Sequence, residues 1–338
     1  VIILFYIILG IVQGIAEILP ISSSGHLALT QALISDSSGL TQFKADTQEM
    51  LVFNIFTHFA SLLALLVFFR KQLWIMIKGS WQFIFNTKLG RQNAKDLRNQ
   101  TKSKLFDLTH DYDETNSSER KKEIQIEAQN IEKKYKVQRK LLRKQATKDA
   151  KPGFMLTVYM IMASIPVAIA GFLLKNWITS LFGELSFIGI AFMITGLLLL
   201  FVSMFTKKSS DSKYTWKNTM VTGIFQVFGI FPGISRSGVT MSGAKIAGLN
   251  DEAAKQFAFI LFIPVAAGGF LLSLGDINLI TALPSVDVIG FILGFITAFI
   301  MTGLGLLFIF KKFNLSHYKY FTIYLFIIGM FTIIYHFI

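Results

Sequence analysis

Two stretches decide the fold: QGIAEILPISSSGHL, from Gln13 to Leu27, and QVFGIFPGISRSGVT, from Gln226 to Thr240. Each breaks a long apolar run, residues 1–33 and 216–247, with Pro, Gly and small hydroxyl residues. A shift of 213 positions lays Gln13 on Gln226, Ser22 on Ser235, Ser24 on Ser237 and Gly25 on Gly238, while Pro20 and Pro232 miss by one place. The two breaks read as copies of one element. Broken backbone at membrane depth survives only when buried in protein or lining a water-filled cavity. Both therefore read as re-entrant helix-turn-helix elements whose tips approach each other. The plainer alternative makes residues 1–19 a first spanning helix.

Six further stretches are long and apolar enough to cross about 30 Å of hydrocarbon: 51–69, 153–174, 186–205, 256–273, 286–310 and 319–337. Three follow each break. One re-entrant element plus three spans crosses an odd number of times, so the second copy is inverted against the first. Composition agrees, with 53% hydrophobic and only 16% charged residues and a mean hydropathy of +0.55, where a soluble domain carries about 25% charged residues. The absence of Cys excludes a disulfide scaffold, thiol catalysis and thiolate metal sites. The expected fold class is all-α: a polytopic membrane protein of six spanning helices and two re-entrant helix-turn-helix elements in an inverted repeat.

A net charge of +13 is unusual in so apolar a chain. The layout accounts for most of it. Twenty-eight of the 33 Lys and Arg fall on the side that holds 70–152, 206–217 and 311–319. The other side keeps Lys44 and Lys175 beside Asp36, Asp46, Glu49, Glu184 and Asp276. By the positive-inside rule the basic side is cytoplasmic, and both ends of the chain face outward. Residues 72–86, with Trp74, Lys78 and Trp81, read as an interfacial amphipathic helix. Residues 88–152 carry 18 basic and 10 acidic side chains and read as a cytoplasmic helical-hairpin insertion. In it Ile124, Ala128, Ile131, Tyr135 and Leu142 share one helix face, Leu97, Leu105 and Leu108 supply a shorter partner, DYDETNSS forms the turn, and Asn116 with Glu119 makes a capping box. Its basic surface suits anionic lipid heads or a cytoplasmic partner, with a merely solvated hairpin as an equal alternative; no nucleic-acid fold signature occurs in it. The membrane domain is thus 1–87 and 153–338, interrupted by 88–152.

Ionisable residues inside spans are costly and rare. They are Glu17, His26, His58 and Arg236, with Gln13, Asn54 and Gln226 in support. Gln13 and Glu17, four apart, share a helix face, and Ser22, Ser23, Ser24 and His26 follow at once. A carboxylate, hydroxyls and an imidazole at one turn have the parts for nucleophilic attack with acid–base help. The second break adds Gly233, Ser235, Arg236, Ser237 and Gly238 at a helix start, where amides and the helix dipole favour an anion and Arg236 binds phosphate oxygens in pairs. If the tips meet, the substrate is a phosphate ester or anhydride on something lipid-soluble. His58, alone on an apolar face, reads as a hydrogen-bonded core residue.

At these residues the chain resembles the undecaprenyl-pyrophosphate phosphatase family, the bacitracin-resistance phosphatases. QGIAEILPISSSGHL and PGISRSGVT look like its two signature motifs, and FNIFTHFASLLALLVFFR (53–70), ASIPVAIAGFLL (163–174) and AGLNDEAAKQFAFILFIP (247–264) follow in the family's order. The resemblance implies a multi-pass hydrolase of the bacterial cell membrane. It would remove the terminal phosphate of a C55 prenyl pyrophosphate at a site reached from the outer face and recycle the lipid carrier of cell-wall synthesis. By motif, Gln13 and Glu17 fill the (E/Q)xxxE pair, Ser22, Ser23 and His26 the serine-and-histidine turn, and Ser235, Arg236 and Thr240 the PGxSRSGxT element. A divalent cation, Mg²⁺ or Ca²⁺, is implied as cofactor, bridging to Glu17. The attacking group stays open between Ser22, Ser23, His26 and water activated by Glu17. Ala258 departs from an expected FSF pattern and reads as a packing change. The rival class is a secondary transporter or lipid flippase, which uses the same inverted architecture. A PSGH-type acid phosphatase is set aside, because no His lies between Arg236 and His317. A homo-oligomer is left open.

Overall fold

The computed structural model describes residues 2–44, 47–148, 150–206, 209–274 and 285–338. Asp46, Lys207, Lys208 and Asp276, used above to weigh the two sides, lie outside them. The described residues form α-helices and short 3-10 turns with no strand. In chain order they are α1 (Ile2–Ile18), α2 (Ser23–Ser38), α3 (Gln48–Phe68), α4 (Arg70–Glu114), α5 (Ser118–Lys148), α6 (Lys151–Ser180), α7 (Leu185–Phe205), α8 (Trp216–Phe228), α9 (Arg236–Ile246), α10 (Asp251–Leu274), α11 (Ser285–Lys311) and α12 (Tyr318–Phe337). Among the described residues, six helices are long and apolar enough to cross a membrane: α3, α6, α7, α10, α11 and α12. These are the six expected spans. The chain is a multi-pass membrane protein.

Contacts divide the chain into two compact units, Val1–Arg70 with Tyr159–Ile338, and Lys71–Val158. In the first unit α1 packs on α11, α2 and α3, and α8 on α9. Lipid tails are as apolar as a core, so helices there associate through close packing rather than through hydrophobic burial. Glycine permits it: a methyl group on Gly10 would meet the Gly294 carbonyl oxygen of α11 at 2.4 Å. A methyl group on Gly223, 213 positions later on α8, would meet the Ala163 carbonyl oxygen of α6 at the same 2.4 Å. Gly189 of α7 and Gly329 of α12 meet reciprocally: a methyl group on either would lie 2.7 Å from the other's carbonyl oxygen. The side chains Tyr6, Phe43, Phe53 and Phe291 close an aromatic cluster at the other end of α1.

The second unit departs from the sequence reading. No separate interfacial helix precedes the hairpin. Neither Pro nor a strong cap occurs between Gly79 and Glu114, so one helix, α4, runs 45 residues through both. The hairpin's first helix is therefore the longer one, and its turn shrinks to Thr115–Ser117. The cap of α5 is Ser117 rather than Asn116: its hydroxyl accepts from the Arg120 amide and its carbonyl takes the first helical bond, from Lys121. Ile124 is buried, and Ala128, Ile131, Tyr135 and Leu142 are half-buried among exposed neighbours.

Candidate active site

The two turns between α1 and α2 and between α8 and α9 lie against each other. A methyl group on Gly25 would meet Gly233 Cα at 2.9 Å, and one on Gly238 would meet Pro20 Cβ at 3.3 Å. Ser237 Oγ donates across the junction to the Leu19 carbonyl at 3.0 Å. Both turns are built alike. Ser22 Oγ accepts from the Gly25 amide at 3.3 Å and lies 3.3 Å from Ser24 Oγ. At the equivalent positions Ser235 Oγ accepts from the Gly238 amide at 3.1 Å and lies 3.2 Å from Ser237 Oγ. Two helix starts, α2 and α9, thus converge, and each brings its positive dipole end to the same place. Gly233 holds φ +86°, open to glycine at little cost. Ser22 at φ +70° is the only non-glycine among the described residues with a positive φ, and such strain is held where the surroundings over-determine it.

Glu17, the last polar residue of α1, is the hub. Its Oε2 accepts from Gln13 Nε2 at 2.8 Å and from Ser23 Oγ at 2.5 Å. Its Oε1 lies 3.8 Å from Arg236 Nη1. On the other flank His58 Nε2 stands 3.5 Å from Oε2. Arg236 Cζ lies 4.4 Å from the centre of the Phe262 ring, which fixes the guanidinium plane by cation–π contact. A small pocket opens here, lined by Glu17, Ile18, Leu65, Arg236, Ser237, Thr240, Ala258, Phe259 and Phe262. Its lining combines a carboxylate, a guanidinium and hydroxyls with apolar side chains. Ala258, read from sequence as a packing change, stands in the wall of this cavity.

The arrangement separates residues that the sequence grouped together. Ser23 reaches the carboxylate, whereas Ser22 spends its hydroxyl on the cap of α2. His26 turns away: its Nδ1 donates to the Ser22 carbonyl at 2.8 Å, and Tyr324 of α12 donates to its Nε2 at 2.6 Å. The two rings stack at 5.6 Å. Thr240 lines the cavity while its hydroxyl donates to the Arg236 carbonyl at 2.7 Å. Ser235 caps α9 and its amide bonds Thr195 Oγ1 at 3.2 Å. His58, read from sequence as a core residue, does anchor Nδ1 on the Asn54 carbonyl at 2.8 Å, but that bond aims Nε2 at Glu17. Asn54, Thr57, His58 and Ser61 recur at three- and four-residue steps on α3, and this polar stripe in an apolar span is the signal that could have found it. Tyr324 carried no such signal.

A hard divalent cation takes oxygen ligands, and Mg²⁺ is commonly held by one or two carboxylates with substrate phosphates completing its shell. The residues present fit such an ion. Glu17 supplies the carboxylate, and Gln13 Oε1 beside it is buried with no hydrogen-bond partner. Among the described residues no cluster of three or more His, Cys, Asp or Glu exists, so a cation bound here would rely on substrate oxygens.

Comparison with known proteins agrees in both reach and kind. The family model described as bacitracin resistance protein BacA matches residues 6–105 and 129–331. Undecaprenyl-diphosphatase 2 of Bacillus thuringiensis (strain Al Hakam) is 30% identical over 335 residues, covering 98% of this chain and 97% of that protein. Undecaprenyl-diphosphatase 3 of Bacillus anthracis matches to the same extent. Undecaprenyl-diphosphatase of Oceanobacillus iheyensis is 28% identical over 338 residues, with 98% and 96% covered. The internal stretch outside the family match, 106–128, is the tip of the α4–α5 hairpin.

Proposed function

Because the chain belongs to the bacitracin resistance protein BacA family, we propose that it is a membrane hydrolase that converts undecaprenyl pyrophosphate to undecaprenyl phosphate, so that the lipid carrier of cell-wall synthesis is reused. The observation that carries this reading is Glu17, hydrogen-bonded to the Ser23 hydroxyl and facing Arg236 in a pocket whose lining is part polar and part apolar. The pyrophosphate lies against Arg236 and the converging starts of α2 and α9, with Gln13, Gly233, Ser235, Ser237, Gly238 and Thr240 around it. The first isoprene units rest on Leu65, Phe259 and Phe262.

Of the candidate nucleophiles, Ser23 is favoured by geometry. Its Oγ attacks the terminal phosphorus while its proton passes to Glu17, and the bond to the bridging oxygen breaks to release prenyl phosphate, which takes that proton from Glu17 as it leaves. Water then attacks the phosphoserine, Glu17 takes that water's proton, and inorganic phosphate leaves as the proton on Glu17 returns to Ser23. Phosphoryl transfer asks mainly for positioning and charge stabilisation, which Arg236 supplies to the terminal oxygens. His58 Nε2 holds the Glu17 carboxylate from its other side. His26, locked between Ser22 and Tyr324, shapes the turn. A divalent cation held at Glu17 and Gln13 Oε1 would neutralise further phosphate charge.

The same reading makes α1–α2 and α8–α9 re-entrant and inverted against each other. At about 1.5 Å per residue, the 13 residues of α8 and the 11 of α9 are too short to cross the hydrocarbon layer. The equivalent contacts of Gly10 and Gly223, and of Ser22 and Ser235, support the duplication. The site then opens to the outer face, opposite the 28 Lys and Arg of the basic side. The test is phosphate release by purified protein from C55 and shorter prenyl pyrophosphates, with and without chelator, for the native chain and for Glu17→Gln and Arg236→Ala. Both variants should lose at least about a hundredfold in kcat/KM. A transporter without hydrolase activity would release no phosphate at all.

A further inference from the structure

Helix α4 carries a line of exposed side chains that the site does not use. Trp74, Trp81, Lys88, Lys95 and Lys102 follow one another at intervals of seven residues, and each interval falls only about 20° short of two full turns. All five are exposed, the two Trp by 64% and 73%. Ile77 and Phe85 flank the first half of the line and are also exposed. The opposite face of α4 is its packed face: Met76, Gly79, Gly90 and Ala94 are buried there. Its azimuth is fixed by α6, since a methyl group on Gly153 would meet the Ile75 carbonyl oxygen at 2.5 Å, and Phe83 stacks on Phe154 at 4.2 Å. The line of Trp and Lys is thus held outward by close backbone packing.

The charge pattern along this unit is graded in the same direction. After the apolar stretch Trp74–Phe85 come Lys88, Arg91, Lys95, Arg98, Lys102 and Lys104 with one acid, Asp96. The returning helix α5 carries eight Lys and Arg and no acid over residues 133–148. Between them residues 107–132 hold eight Asp and Glu against three basic side chains. A helix hairpin solvated on all sides has no reason to expose two tryptophans in line with three lysines, nor to sort its charges by position along the hairpin. A bilayer surface supplies a reason for both. Aromatic rings prefer the interface, basic side chains prefer the anionic headgroups, and acidic ones are repelled from them.

We propose that this face of α4 is a binding surface for anionic lipid headgroups, with Trp74 and Trp81 seated in the interface and Lys88, Lys95 and Lys102 on the phosphates. The chain lacks Cys, so a single nitroxide can be placed at Asn99→Cys, which is exposed and lies on the same face. The labelled full chain is reconstituted in vesicles of phosphatidylcholine alone and of phosphatidylcholine with phosphatidylglycerol, and collision with a water-soluble nickel chelate is measured. In the anionic vesicles the label should be several-fold less accessible to the chelate, and raised salt should reverse this. The combined Lys88→Glu, Lys95→Glu and Lys102→Glu variant should lose the protection. Lys104→Glu, roughly 160° round the helix from Lys88 at about 100° per residue, should keep it. A single monodisperse peak in detergent establishes that each variant is folded. Equal accessibility in both lipids overturns the proposal, as does loss of protection in Lys104→Glu equal to that in the triple variant. Protection gained in phosphatidylcholine vesicles only when heparin is added assigns the face to a soluble polyanion instead, and overturns it too.

Discussion

Ser22 and Ser23 are adjacent hydroxyls in one turn, and their geometry assigns them opposite duties. Ser23 Oγ lies 2.5 Å from the Glu17 carboxylate, while Ser22 Oγ caps the Gly25 amide at 3.3 Å. Ser23→Ala removes the attacking atom, and loss of a nucleophile from an acid–base pair typically costs on the order of 10³-fold or more in kcat. Ser22→Ala removes a cap worth about 1 kcal/mol of stability and touches no reacting atom, so kcat should stay within about tenfold. Steady-state phosphate release from prenyl pyrophosphate in detergent gives the two kcat values. A rapid-quench trial with substrate labelled in its terminal phosphate tests whether label is retained on the native chain and lost in Ser23→Ala. Ser22→Gly serves as the control for strain. Glycine costs only a few tenths of a kcal/mol at a cap and relieves a φ of +70° that costs an L-residue about 1–2 kcal/mol. That variant should therefore be at least as heat-stable as the native chain. Ser23→Ala with more than a tenth of native kcat, or Ser22→Ala the more damaged of the two, would refute the assignment of the nucleophile.

Two further outcomes follow from contacts already described. Gly10→Ala and Gly223→Ala each push a methyl group against a carbonyl oxygen at 2.4 Å and should lower the melting temperature in detergent by similar, large amounts. Gly303→Ala in α11 has nothing within 4 Å and should be neutral or stabilising by up to about 1 kcal/mol, the helix propensity gained. His58→Leu takes away the imidazole facing Glu17 and should reduce kcat by about 10- to 100-fold; His58→Gln keeps an N–H at that reach and should recover part of the loss. Equal damage by both His58 variants would make the imidazole a packing group alone.

How much of this was legible in the chain depends on where each residue's partner lies. Glu17 and Arg236 declare themselves because a charge within an apolar run needs an explanation whatever the fold. The two turns declare themselves by repetition, and Gly10, one further position in the 213-residue shift, would have extended it to the contact with α11. His58 did not declare itself, since its partner Glu17 is 41 positions away and only the packing of α3 against α1 joins them. His26 erred in the other direction. It stood within ten residues of the carboxylate in a motif rich in hydroxyls, and on α2 it lies only about 60° round from Ser23. What holds its ring from Glu17 is tertiary: its bonds to the Ser22 carbonyl and to Tyr324 of α12. The continuity of α4 was hidden for a different reason: composition changes sharply at residue 87, but composition sets what a helix faces, whereas Pro or a cap sets where it stops. An apolar stripe and a basic stripe can therefore belong to one rigid rod. In such a rod the tryptophans of the first half fix the angle at which the lysines of the second half are presented.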